Sequence, residues 1–218
     1  NPLCKVVSIA DINPAQAQKT ADEFGIKNVY TDYHDILNDD SVKIVAEVMG
    51  GTNPAYDFVK SCLKAGKSVV TSNKELVAAK GAELIKIANE KGVSFLFEAS
   101  VGGGIPILNA ITTVLQANQF EEILGILNGT TNYILTQMTE YGLAYEDVLK
   151  KAQELGFAEA DPTADLEGYD MMRKIAISSD LAWNTKIDIE KIKHRRKEAV
   201  GYSSSGNDCK YCIHGVSY

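Results

Sequence analysis

The spacing of apolar positions changes several times along the chain, and each change marks an element. Residues 5–10, KVVSIA, form a short apolar run that stops at Asp11 and reads as a strand. Asn13-Pro14 then opens a helix that ends at Gly25, with proline suited to its first turn. Residues 42–49 predict a second, buried strand, followed by Gly50-Gly51. A helix over 54–65 is closed by Gly66, a short strand covers 68–71, a helix 75–90 and a strand 93–98. Strands alternating with helices imply a parallel sheet with helices packed over it.

The rhythm shifts after Glu98. SVGGGIP is a loop, 105–115 a helix, and 120–128 a strand that enters GTTN and a helix to 141. Helices follow at 145–155 and 166–183. Strands are now further apart, so the expectation is an α/β dinucleotide-binding domain over 1–98 and an α+β domain over 99–190, with the boundary at 98–104.

A dinucleotide-binding unit opens with a strand and a G-x-G-x-x-G turn whose glycines admit the pyrophosphate. No such turn precedes Lys5, so the first domain is expected to begin just ahead of the second strand of that fold, N-terminally incomplete. Residues 191–218 turn basic, then rich in Ser and Gly, and lose the periodic pattern; they read as an atypical, poorly ordered tail.

Composition narrows the function classes. The 218 residues are 45% hydrophobic and 23% charged, which is ordinary for a globular chain. A net charge of -7 and a pI near 5.0 argue against nucleic acid or an anionic membrane as partner. No apolar run reaches spanning length and no signal peptide opens the sequence, so the expected setting is the cytoplasm. Cys209, Cys212 and His214 suggest a metal, but the set lacks a fourth ligand unless His194 supplies it, and it misses the haem-attachment spacing.

Several stretches carry candidate chemistry. Asp11, at the carboxyl end of the first strand, can accept ribose hydroxyls and repel a 2′-phosphate, which favours NAD, or can simply build the turn before Asn13. Gly50 and Gly51 let backbone approach a ligand, or form a plain turn. Lys74 follows the strand 68–71 at the same edge, where open parallel sheets bind ligands; the alternative is a solvated lysine at a helix start. The three glycines after Glu98 can turn carbonyls inward around a hard cation, or hinge two domains. NGTTN, residues 128–132, can bind an anion or cap a helix.

The stretch GFAEADPTADLEGYDMMRK, residues 156–174, places five carboxylates ahead of Arg173-Lys174. With Asp165 as cap of a helix from Leu166, Asp170 and Lys174 lie four apart on one face, which Ile177 and Leu181 continue. That pair is either an ordinary surface ion pair or an acid–base device at the margin of an apolar stripe.

VVTSNKELVA, FEASVGGGIPIL, GILNGTTNYIL and the 156–174 stretch, in this order, resemble homoserine dehydrogenases. The resemblance is dense over 40–186 and weaker before that. It implies a Rossmann-type cofactor domain and an α+β domain for substrate binding and dimerisation. It also implies reversible NAD- or NADP-dependent reduction of L-aspartate 4-semialdehyde to L-homoserine, in threonine, methionine and isoleucine biosynthesis. By position, Lys174 would be the proton donor, Glu159 and Asp170 would bind the amino-acid substrate, and Lys74 and Gly156 would contact cofactor; Asp11, from its place at the strand end, and Gly51, from the glycine turn, join them. Glu98 and the main-chain carbonyls of Val101, Gly103 and Ile105 would hold a sodium or potassium ion. A homodimer or homotetramer is implied as well. The competing expectations are a truncated, inactive chain that serves only as a folding or dimerising module, and an oxidoreductase acting on another amino-acid aldehyde.

Overall fold

The computed structural model describes residues 4–193, and two compact units divide between Ser100 and Val101. The His194, Cys209, Cys212 and His214 set and most of the expected tail lie outside the described residues.

In the first unit, β1 (Ser8–Ala10) leads through α1 (Pro14–Phe24) to β2 (Asn28–Tyr30), and the two strands pair in parallel from Ser8 opposite Asn28. Asn13 caps α1 by accepting from the amides of Ala15 and Gln16, and Gly25 ends it at φ 65°. Both features were legible in the sequence. The short α2 (His34–Asn38) and β2 were not, because three-residue and five-residue elements show no period.

A second parallel sheet runs β3-β4-β5, from β3 (Ile44–Glu47), β4 (Ser68–Thr71) and β5 (Phe95–Leu96). The crossovers are α3 (Ala55–Lys64) and α4 (Lys74–Lys91), which pack on each other. Phe58, Val59 and Leu63 of α3, Leu76 and Leu84 of α4, and Val45, Val69 and Phe95 of the strands are buried. Each such side chain contributes roughly 1.5–3 kcal/mol relative to exposure. The expected buried strand over 42–49 is buried on one face only. Ile44, Val70 and Leu96 point the other way and are exposed, because the helices cover a single side of this sheet and strand side chains alternate.

The second unit contains helices and no strand among its described residues. After Pro106, α5 (Ile107–Asn109) widens into a π-helical turn over Ala110–Val114. Then come α6 (Gly129–Tyr141), α7 (Tyr145–Glu154), α8 (Thr163–Leu166) and α9 (Tyr169–Ala182). Ile134, Val148, Ala152 and Ala158 form one core cluster; Met172, Ile175, Ala176, Ile187 and Ile192 form another.

Two expectations fail here. Residues 120–128 form no strand, since no described neighbour offers a ladder; Ile123 and Leu127 pack against the α9 cluster while Leu124 and Ile126 are exposed. The helix expected over 166–183 is broken at Gly168, whose φ of 85° no continuous helix permits. Asp165 therefore lies inside α8 rather than capping α9.

Candidate active site

The carboxyl edge of the first unit is organised by a buried acid. Glu47, at the end of β3, is 1% exposed. One of its oxygens accepts from the Met49 amide at 2.6 Å, the other from the Thr71 hydroxyl at 2.6 Å. Thr71 in turn accepts from the Asn73 amide at 2.8 Å. Asn73 donates from its side chain to the Gly51 carbonyl at 2.6 Å and caps α4 by accepting from the Leu76 amide at 3.1 Å. A buried carboxylate is costly unless it is hydrogen-bonded, and here both oxygens are satisfied. The chain of bonds ties the end of β3, the Gly50-Gly51 turn and the start of α4 into one piece. Gly50 and Gly51 take φ 75° and 66°, so the turn itself requires glycine. Lys74 is the first residue of α4, half-buried.

Asp11 follows β1, and its Oδ1 accepts from the Asn13 amide at 2.8 Å, the turn-building geometry that an aspartate before a helix adopts.

The second unit gathers its polar groups at the start of α9. Lys174 Nζ lies 2.8 Å from Asp170 Oδ2, with the two side chains 15% and 5% exposed. Lys174 also donates to the Leu127 carbonyl at 2.7 Å. The pair is therefore no solvated surface bridge, and its attraction is much less screened. Asn128 joins it: its side-chain nitrogen donates to Asp170 Oδ2 at 2.9 Å and to Asp165 Oδ1 at 2.7 Å. Its oxygen caps α6, accepting from the Thr131 amide at 2.9 Å and the Thr131 hydroxyl at 2.6 Å. Thr130 donates its hydroxyl to the Phe157 carbonyl at 2.7 Å, which anchors the 156–162 loop to the same helix.

Glu159 sits exposed on that loop, and its carboxylate stands outside the network; among the described residues only its carbonyl is engaged, accepting from the Gln153 side chain at 3.2 Å. Gly156 ends the turn after α7 at φ 77°. Asp161 is engaged locally: hydrogen bonds from the hydroxyl and then the amide of Thr163 hold its carboxyl below the usual range.

Glu98 opens a 3-10 turn over Glu98–Ser100. Val101 is buried, while Gly103 and Ile105 are exposed. A Cβ on Gly102 would come within 2.8 Å of the Ile105 carbonyl oxygen, so the loop doubles back tightly there. Among the described residues no three His, Cys, Asp or Glu side chains converge on a metal position. A cation in this loop would depend on oxygen ligands, which suit a hard cation rather than zinc.

Parallel β/α units with a glycine turn at the sheet's carboxyl edge are followed in sequence by a helical unit that carries the buried Asp170–Lys174 pair. Residues 3–98 match the family described as "Homoserine dehydrogenase, NAD binding domain", and residues 106–205 match "Homoserine dehydrogenase". The chain belongs to the homoserine dehydrogenase family. A homoserine dehydrogenase of Bacillus subtilis is 46% identical over 163 residues, covering 75% of this chain and 38% of that protein. The crystal structure of a homoserine dehydrogenase from Thiobacillus denitrificans superposes with a TM-score of 0.82 at 41% identity, over 89% of this chain and 44% of that one. A hyperthermophilic archaeal homoserine dehydrogenase mutant in complex with NADPH is 27% identical, with a TM-score of 0.67, over 78% of this chain and 55% of that one. The chain thus spans about two fifths of the length of the first two relatives. No helix among the described residues is long and apolar enough to cross a membrane.

Sequence reading missed Glu47 and Asn73 as organisers of the edge, although a lone acid inside the apolar run VAEVMGG was a visible signal. It singled out Asn128 only as part of NGTTN, because a bridge between carboxylates 37 and 42 residues away has no local signature.

Proposed function

We propose that this chain carries the working parts of a homoserine dehydrogenase, which interconverts L-aspartate 4-semialdehyde and L-homoserine with NAD or NADP in the route to threonine, methionine and isoleucine. The observation that carries the reading is the buried Asp170–Lys174 pair, with Lys174 donating to both a carboxylate and a carbonyl.

A nicotinamide, when bound, would supply or take the hydride. Everything else falls to side chains of the chain. Lys174 presents an ammonium to the aldehyde oxygen as negative charge develops there, and gives it a proton as general acid. Asp170 aims Lys174 through their 2.8 Å contact. Glu159, whose carboxylate has no hydrogen-bond partner among the described residues, is available to the substrate ammonium through a charge-assisted hydrogen bond. The Gly50-Gly51 turn and Lys74, with Asp11 and Gly156, are the proposed cofactor contacts; Asp11 favours NAD by repelling a 2′-phosphate. Glu98 and the carbonyls of Val101, Gly103 and Ile105 are the proposed seat of a sodium or potassium ion, a reading supported by the tight backbone at Gly102. Self-association as a dimer or tetramer in the cytoplasm belongs to the same proposal.

Titrating the purified chain with NADH, followed by fluorescence, tests it together with oxidation of NADH by aspartate semialdehyde. Saturable binding and turnover abolished by Lys174→Ala are expected. A folded, self-associating chain with neither binding nor turnover would instead be a folding or dimerising module.

A further inference from the structure

Asn128 does more than cap a helix. Capping α6 requires an oxygen that accepts from the Thr131 amide, and aspartate or serine would supply it as well as asparagine does. Aspartate would even suit the positive end of the helix better. What only asparagine adds is a separate amide nitrogen that donates twice while its oxygen accepts. That donor, 4% exposed as a residue, is spent on two carboxylates that would otherwise repel one another: Asp165 Oδ1 at 2.7 Å and Asp170 Oδ2 at 2.9 Å from the same nitrogen.

The oxygen of Asp170 that Asn128 holds is the one that meets Lys174. Leu127, whose carbonyl takes a second hydrogen bond from Lys174, is the neighbouring residue in sequence. The 127–128 dipeptide thus grips both members of the pair, one through main chain and one through side chain. Rotation of Asp170 away from Lys174 would break the Asn128 bond as well as the ion pair.

We propose that Asn128 is a positioning residue: its amide, clamped between Asp165 and Asp170, fixes the Asp170 carboxylate against the Lys174 ammonium. Its meaning for catalysis rests on the proton-donor reading of Lys174, but the geometry does not.

The test uses the full chain and needs no turnover. Competitive labelling of lysines by acetic anhydride at fixed pH, read by mass spectrometry, reports how tightly Lys174 is held. Asn128→Ser keeps an oxygen for the Thr131 cap and removes the amide nitrogen; its single, shorter O–H cannot bridge both carboxylates. Lys174 is expected to label roughly fivefold or more faster in the variant, the factor that loss of about one kcal/mol gives. The exposed Lys150 and Lys151 serve as references and keep their rates. Unchanged labelling of Lys174, or a rise shared by every lysine with a lower melting temperature, would overturn the proposal. Should the serine variant fail to fold, the unaltered chain decides. Both side-chain amide protons of Asn128 should appear in the NMR spectrum hydrogen-bonded and slow to exchange, and rapid exchange of either overturns the idea. If labelling responds as expected but NADH is never oxidised, the functional reading falls and this one stands.

Discussion

Lys174 Nζ and Asp170 Oδ2, one helical turn apart on α9, meet at 2.8 Å with little solvent around either. Helical i,i+4 spacing accounts for the meeting, and burial accounts for its strength. Truncating either partner leaves a polar group poorly paired, so Asp170→Ala and Lys174→Met should each destabilise the chain by roughly 1–3 kcal/mol. Because the two act on one interaction, the double variant should lose less than the two losses combined. Urea unfolding of all four proteins measures the coupling; strict additivity would mean the pair contributes nothing.

Glu159 behaves differently, because nothing internal depends on its carboxylate. Glu159→Gln should leave stability within about 0.5 kcal/mol. In an active protein it should raise the Michaelis constant for the amino-acid substrate by roughly tenfold, the loss of one charge-assisted bond. A destabilised variant, or an unmoved Michaelis constant, would remove Glu159 from the ammonium seat.

The Glu47–Thr71–Asn73 chain makes a prediction at the other edge. Thr71→Val preserves shape but leaves a buried Glu47 oxygen without its donor and the Asn73 amide without its acceptor. A cost of roughly 1–3 kcal/mol is expected. Hydrogen exchange should quicken at residues 48–53 and 72–76 while the middle of α3 stays protected. Uniform change across the unit would show that the network stabilises the fold without shaping that edge.

Gly102 tests the loop. A Cβ there meets backbone, the Ile105 carbonyl oxygen at 2.8 Å, and backbone cannot rotate aside as a flexible side chain would. Gly102→Ala should therefore destabilise by roughly 1–3 kcal/mol. If the loop holds a monovalent cation, any stabilisation by potassium chloride over a bulky organic cation should vanish in the variant. A potassium response equal to wild type would place the ion elsewhere.

How much of this was legible beforehand follows from the range of the interactions. The strand 68–71, the Asn13 cap and the helices α4 and α7 rest on local period and capping, and the sequence displays both. So does the Asp170–Lys174 pairing, which needs only a helix. The 120–128 segment misled because alternation marks an extended chain but cannot supply a partner strand. The single helix expected over 166–183 misled because an isolated glycine is tolerated in many helices; here Gly168 takes a left-handed φ and divides α8 from α9. Asn128 was illegible as an organiser, and Glu47 was visible only as a lone acid, because Asp165, Asp170 and Thr71 are distant in sequence. Their roles appear only when strands or helices have already packed.

Asp180 closes the set with a dependence on pH. Burial raises its carboxyl above the ordinary value of 3.8, opposed by the hydrogen bond from the Ile187 amide and the nearby Lys186. Between that ordinary value and the raised one, the folded chain binds a proton that the unfolded chain has released. Stability contributed by this group is therefore fully present below about pH 3.8 and declines as pH rises through the folded value. Asp180→Asn keeps an oxygen for the Ile187 amide, which approaches at 2.6 Å, and abolishes the titration. The melting temperature of the wild-type chain should fall relative to the variant over the interval in which pH rises from about 3.8 through the raised folded value. Parallel melting curves across that interval would show that Asp180 ionises as freely in the folded chain as in the unfolded one.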